Sequence, residues 1–505
     1  MRKYPIGIQD FRKIIESDYL YIDKTKIIFD LITNGSYYFL SRPRRFGKSL
    51  LLSTIKEIYS GSKELFKGFW IENNWDWNKI HPVIHVKFAS MGFGEIGLEK
   101  GIVNALNEIA EEHKITLSNQ SVALGFKELI TKLSVDKKVV ILIDEYDKPV
   151  IDYLENLDKA YENRTILKRF YSVLKDNDQN IEFLLITGVG KFTKVSIFSD
   201  LNNLRDISID KKFSTLVGIT QSELDITFTQ EIEEFGIENE NIKADIKRFY
   251  NGYSWGAKET VYNPFSLLSF MQTGEFKIFW FETGTPTFLI EQVKKRSLFN
   301  FEEVEADLEG LSDLNIDNLN SSALLFQTGY LTITDYDKET GIYTLKYPNK
   351  EVKDSLNRRL LVAYRYSEQG TSTPLVIHLL KAFKANDIEE VVNIINTAFE
   401  TIPYDLWKGA TELHYHALTH LIFTLLGSFT ESEVHSSKGR CDMIVKTSIH
   451  IFALEFKLDK SAEEALNQIE TKGYLKPFAL DERTKVAIGI SFSSEKKGIE
   501  SYLVK

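Results

Sequence analysis

A chain of 505 residues, 43% hydrophobic and 12% aromatic, has material for several buried cores at about 100–200 residues per domain. With 27% charged residues and 10 prolines it is neither fibrous nor disordered, and one cysteine, Cys441, excludes an intrachain disulfide and a multi-cysteine zinc site. The net charge of -10 argues against non-specific coating of nucleic acid, and MRKYPIGIQD lacks the apolar region of a secretory signal.

No apolar stretch approaches the roughly 18 residues of a bilayer span, so no membrane partner is expected, and the single cysteine suits a reducing cytoplasm. In chain order, KTKIIFDLITNG predicts a helix stopped by Gly35. Apolar, β-rich runs follow in SYYFL, VIHVKFA (83–89), KVVILID (138–144) and IEFLLIT (181–187). Helical patterns such as LEKGIVNALNEIAEEH and Tyr161 to Lys175 separate them. Nearly all-apolar strands alternating with helices predict a mostly parallel sheet covered on both faces, over residues 1–220. Residues 221–365 change texture: short helices lead to LTITDYDKETGIYTLKYPN, two β-rich arms around DKETG, as in a winged-helix-like lid. YRYSEQGTSTP opens a helical linker over 366–404. Over 405–505 an α/β pattern restarts with TELHYHALTHLIFTLL, β-arms in RCDMIVK and IHIFALEFK, helix SAEEALNQIETKGY and strand KVAIGISF.

Residues 41 to 49 read SRPRRFGKS, between an apolar strand and a helix. The usual G-x-x-x-x-G-K-[ST] loop would have glycine where this chain has Arg42. Backbone N–H groups and a helix N-terminus nevertheless suit a phosphate there. Arg45, Phe46, Gly47, Lys48, Ser49 and Leu50 form the expected nucleotide-binding stretch, with Lys48 on the β- and γ-phosphates and Ser49 on Mg²⁺. VVILIDEYD ends a strand in two carboxylates: Asp144 to hold Mg²⁺ and Glu145 to polarise the attacking water. Thr187, at the end of IEFLLIT, is placed to sense the γ-phosphate; a turn residue is the plainer reading. GFGEIG (92–97) matches a dinucleotide fingerprint, but EHKITLSNQ lacks the acidic strand end that would follow, so it is set aside.

RPRRFGKSLLL, IDEYDKP, ITGVGKFTKVSIFSDLNNLRDIS and IGIQDF…YLYIDKT together resemble the bacterial predicted AAA-ATPase-like family, over roughly residues 4 to 265. The family's loop reads R-P-R-R-F-G-K-S, so by resemblance Arg42 is its ordinary form and the nucleotide is ATP. Arg205, in LNNLRD, is a candidate arginine finger, against a surface salt bridge.

In GRCDMIVKTSIHIFALEFKLD, strand alternation puts Glu455 and Lys457 on one face and Phe456 on the other, with Asp442 on the facing arm. Two carboxylates and a lysine can hold a divalent metal and orient water against a phosphodiester. Exposed strands often carry Glu and Lys, yet IFALEFK is so apolar that a charged pair there needs a reason. The segment resembles the PD-(D/E)xK nuclease superfamily over about 405–500. The resemblance makes Asp442, Glu455 and Lys457 the catalytic core, with Asp442 and Glu455 on the metal, Mg²⁺ or Mn²⁺. It makes Glu412 an auxiliary carboxylate and Gln468 a supporting polar residue. Glu412, His416 and His420 also share one helix face at metal-ligand spacing, although partly buried structural histidines fit the adjoining apolar residues better.

The expected architecture is therefore multi-domain α/β: a P-loop NTPase, a helical, winged-helix-like middle region and a C-terminal α/β restriction-endonuclease-like domain. The expected function is an ATP-binding hydrolase coupled to a metal-dependent nuclease, with DNA preferred over RNA as partner and a homo-oligomer allowed. Defence against foreign DNA or DNA processing would suit it. The rival is a nucleotide-dependent regulatory switch whose C-terminal domain binds nucleic acid or protein without cutting.

Overall fold

The computed structural model describes residues 2–191, 201, 203–256, 259–280, 287–296, 298–312, 314, 319–368, 370–402, 412–427 and 442–505. The chain divides into two compact units, one of Met1–Phe288 with Glu302–Glu351 and one of Leu289–Phe301 with Val352–Lys505. Among the described residues no helix is long and apolar enough to cross a membrane.

The first unit is built on five parallel strands: β1 (Tyr37–Ser41), β2 (Val83–Lys87), β3 (Val139–Asp144), β4 (Ile181–Gly188) and β5 (Arg205–Asp206), in the order β2-β3-β4-β1-β5. Every residue of β1 and β3 is buried, which is why both read as unbroken apolar runs. In such a sheet the carboxyl ends of all strands lie along one edge, the place where α/β folds bind ligands. Here β4 lies between β1 and β3, so Thr187 sits between the phosphate loop and Asp144.

Helices dominate the rest of this unit. Ile219, Leu224, Phe228, Ile246, Tyr250, Leu267 and Phe270 form a core against which the N-terminal Tyr4, Ile6, Leu20 and Ile22 pack. Two short strands, β6 (Ile219–Thr220) and β7 (Val261–Tyr262), pair within it. The DKETG turn does join a hairpin, β9 (Thr332–Tyr336) with β10 (Tyr343–Lys346), and β8 (Val304–Ala306) adds a third strand. Asp337 fixes the turn by accepting from Glu339 N and Thr340 Oγ1.

The second unit carries a mixed sheet in the order β11 (Met443–Lys446), β12 (His450–Leu458), β13 (Thr484–Ser493) and β14 (Gly498–Val504). Strand alternation sorts the side chains of β12. Ile451 and Ala453 face the helix Ala462–Lys472 through Ile469. Phe452 and Phe456 face the opposite helices, at 5.0 Å from Phe383 and 6.0 Å from Phe423. Gly489 of β13 leaves no room for a side chain: an added Cβ would lie 2.3 Å from Ala462 O. This close approach brings the helix down onto the sheet beside Glu455. Parallel N-terminal sheet, helical middle and C-terminal mixed sheet are the fold class expected from the sequence.

Candidate functional site

In the first unit the helix Lys48–Tyr59 begins directly after Gly47, whose φ of 90° suits glycine rather than a side-chain-bearing residue. Arg45 also has a left-handed backbone, at φ 68°, with its guanidinium 4.9 Å over the Phe265 ring. Lys48 is buried and its ammonium donates to the carbonyls of Arg42 and Pro43, both at 2.9 Å. Burial lowers the Lys48 pKa, against the opposing fields of Asp144, Asp147 and Glu145. Arg44, Arg45, Gly47, Lys48, Ser49, Leu50 and Glu145 line one cavity of about 350 Å³. Asp144 and Thr187 are bonded beside it, Thr187 Oγ1 donating to Asp144 Oδ1 at 2.8 Å.

Arg42 does not line this cavity. Its side chain is 0% exposed and turned into the protein, donating to the carbonyls of Ser41 (2.9 Å), Ser208 (2.5 Å) and Phe213 (3.4 Å). Its guanidinium lies 4.0 Å over Trp255, and burial lowers its pKa to about 9. Phe46 joins the same cluster, with its ring 4.7 Å from Tyr253 and 5.3 Å from Trp255. Trp280 Nε1 donates to Arg44 O at 3.1 Å. The residues before Gly47 thus tie the loop to aromatic side chains far along the chain, and the missing glycine leaves the phosphate end unobstructed by Arg42.

Sequence reasoning missed two parts of this site. The N-terminal Pro5, Ile6, Gly7, Ile8 and Gln9, with Pro264, Phe265 and Leu268, form the apolar side of the cavity. Nothing local in PIGIQ signals that role, because it depends on Tyr4 and Ile6 packing on the helical core. The other is Asp147, 1% exposed, whose Oδ2 accepts from Val189 N (2.9 Å) and Gly190 N (2.7 Å). Burial pushes its carboxyl up to about 6, with Gly190 N–H pulling the other way. Its only sequence signal was a third acidic residue in IDEYD. Arg205 pairs with Asp210 at 2.6 Å and is half-exposed, the salt-bridge alternative to an arginine finger.

In the second unit Glu455 is 1% exposed and is the hub of the site. Its Oε1 accepts from Lys457 Nζ at 2.9 Å and from Gln468 Nε2, and its Oε2 accepts from Asp442 N at 3.3 Å. Asp442 Oδ2 in turn accepts from Phe456 N at 2.8 Å. Asp442, Glu455, Lys457 and Gln468 therefore meet, drawn from the residue just before β11, from β12 and from the helix Ala462–Lys472. Burial raises the Glu455 pKa, and Asp442 raises it further, while Lys457 opposes both. Two carboxylates crowded in a buried place are a donor set that a divalent cation would relieve. Among the described residues no three His, Cys, Asp or Glu side chains gather as a metal site. Glu412 opens the helix Glu412–Gly427, but its side chain and that of His416 lie outside the described residues, as does Cys441. The His420 ring packs 5.5 Å from Phe299.

Residues 5–198 match a family described as predicted AAA-ATPase, and residues 410–502 match the PD-(D/E)XK nuclease superfamily. A protein of Azotobacter chroococcum mcd 1, described as an uncharacterized protein in the vnfD 5' region, is 38% identical over 526 positions, covering 100% of this chain and 99% of the relative. No solved structure matches. The chain belongs to the predicted AAA-ATPase-like proteins that carry a C-terminal PD-(D/E)XK nuclease superfamily domain.

Proposed function

We propose that the first unit binds and hydrolyses ATP and that the second cleaves phosphodiester bonds in nucleic acid, with DNA the preferred substrate. What carries the reading is the buried Glu455, held among Lys457, Gln468 and Asp442 in an otherwise apolar sheet. A purely structural sheet gains nothing from such burial, since an ionised carboxylate loses its hydration there.

In the first unit, Lys48 leaves the carbonyls of Arg42 and Pro43 for the β- and γ-phosphates, and the N-terminus of its helix faces the same anion. The apolar side of the cavity takes the base. Glu145 orients the attacking water, while Thr187 keeps Asp144 aimed at the phosphate end. Ser49 and Asp144 would hold Mg²⁺, which supplies charge neutralisation on the phosphates when bound.

In the second unit, Asp442 and Glu455 would hold Mg²⁺ or Mn²⁺, which supplies Lewis acidity and an activated water when bound. Lys457 carries positive charge to the developing phosphorane oxygens and gives up its bond to Glu455 to do so. Gln468 keeps the Glu455 carboxylate in one orientation.

The test compares wild type with Lys48→Ala and Lys457→Ala on plasmid, linear duplex, single-stranded DNA and RNA, varying ATP and metal independently. The expected result is loss of ATP turnover with the first variant and loss of cleavage with the second. Cleavage surviving Lys457→Ala would remove the nuclease site, and cleavage indifferent to both ATP and Lys48→Ala would remove the coupling.

A further inference from the structure

The ends of β3 and β4 carry the polar groups of the nucleotide site, yet their pairing stops short of them. The parallel ladder between these strands ends at Ile143 and Ile186. Immediately beyond, Glu145 takes a left-handed backbone at φ 54°, a conformation that breaks a strand. Something else must hold Asp144 and Glu145 in register with Thr187.

Thr187 Oγ1 bonds Asp144 Oδ1 and Ile143 O directly, and four further hydrogen bonds tie the turn to the strand exit. Tyr146 N donates to Thr187 O at 3.0 Å, and Tyr146 Oη donates to Gly190 O at 2.8 Å. Asp147 Oδ2 then accepts from both Val189 N and Gly190 N, at 2.9 and 2.7 Å. The fit is close, since a Cβ added at Gly188 would lie 2.5 Å from the Tyr146 ring and 2.8 Å from Asp147 Oδ1. Val189, Asp147 and Glu145 all line the nucleotide cavity, so the turn and the strand exit form one wall of it.

Asp147 is a demanding way to build that wall. Its Oδ1 is buried with no hydrogen-bond partner among the described residues. A buried carboxylate oxygen in that state is costly, and buried polar groups are normally satisfied. A residue needed for packing alone would be better replaced by an apolar one.

We propose that Asp147 is a positioning residue for the ATPase reaction: by clamping the exit of β4 to the turn after β3, it holds Thr187, Asp144 and Glu145 in the arrangement the phosphate transfer requires. This rests on the reading of the first unit as an ATPase. In this role Asp147 acts through the backbone of Val189 and Gly190, which its carboxylate holds. The loss therefore falls on the chemical step rather than on nucleotide affinity, because misplacing reacting groups by about 1 Å can cost on the order of 100-fold in rate.

The experiment uses the full chain as wild type, Asp147→Ala and Asp147→Asn, measuring steady-state ATP turnover and equilibrium binding of a fluorescent ATP analogue. Asp147→Ala should lower kcat by about tenfold or more while KM and analogue affinity move less than about threefold. Asp147→Asn, whose amide oxygen can still accept from both N–H groups, should keep at least about a third of wild-type kcat. A kcat for Asp147→Ala within about twofold of wild type would overturn the proposal. So would a loss of analogue binding that parallels the loss of turnover, or Asp147→Asn as inactive as Asp147→Ala. Wild type without ATP turnover would instead sink the ATPase reading, and the Asp147 role with it. Turnover abolished by Lys48→Ala but untouched in both Asp147 variants would sink the Asp147 role alone.

Discussion

Replacing Arg42 separates two roles that the motif leaves entangled. If Arg42 is an anchor, Arg42→Ala must destabilise the nucleotide-free protein. The change removes donors from the carbonyls of Ser41, Ser208 and Phe213 and strips the stack from Trp255. Hydrogen bonds from a charged group contribute about 1.5–3 kcal/mol each, and a desolvated cation–π stack about 2 kcal/mol. Against these stands the cost of burying the guanidinium, several kcal/mol, already visible in the lowering of its pKa to about 9. The balance for removing the buried group is a loss of about 3–5 kcal/mol. At about 2–4 °C per kcal/mol for a large domain, the unfolding transition of the first unit should fall by roughly 6–20 °C. Differential scanning calorimetry without nucleotide reads this directly, and Arg42→Lys should also fall because lysine has no fork and stacks poorly. An unchanged transition combined with about tenfold weaker ATP binding would refute the reasoning, since it would make Arg42 a phosphate ligand.

Other outcomes follow from the same geometry. The Asp147 carboxyl is raised from 3.8 to about 6, so between those values the folded chain keeps a proton that the unfolded chain releases. Stability therefore falls as pH rises through that window, by about 3 kcal/mol at two pKa units, and Asp147→Asn should flatten the fall in denaturant titrations; an identical slope in both proteins would contradict it. Glu455→Gln removes a buried charge facing Asp442 and should leave the metal-free second unit at least as stable while abolishing protection by Mg²⁺. With 10 mM Mg²⁺ and a Kd of about 1 mM, wild type should gain about 1.4 kcal/mol. Equal gains for the two proteins would remove Glu455 from the metal site. Gly489→Ala would push a methyl against Ala462 O and lift the helix bearing Gln468 off the sheet. Overpacking of this kind costs about 1–3 kcal/mol, and thermal melting of the second unit should show it. A transition within experimental error of wild type would mean the helix yields freely.

Much of the molecule was legible along the chain because its signals are local. The apolar runs of β1, β3 and β4 mark strands buried on both faces, and alternation along IHIFALEFK is enough to put Glu455 and Lys457 on one side. The left-handed turn at Gly47 and the helix start at Lys48 are likewise written into FGKS. By contrast, β14 was not foreseen: GIESYLV mixes polar and apolar residues without clean alternation, and it becomes a strand by pairing with β13. The two-residue β5 gave no pattern to read and exists through its pairing with β1.

Sequence by itself determined which residues are candidates for chemistry and on which local elements they ride, since a phosphate loop or a strand face needs only neighbours in the chain. Tertiary structure alone decided what those residues meet. Arg42 could have faced a phosphate or the interior, and Ser208, Phe213 and Trp255, all more than 160 positions away, settle it. The N-terminal Pro5–Gln9 segment reached the nucleotide cavity by packing on the helical core, and Asp147 became a clamp only where β4 ends beside β3. Burial and hydrogen bonding across long separations depend on how chain segments pack, and one-dimensional spacing carries no record of that.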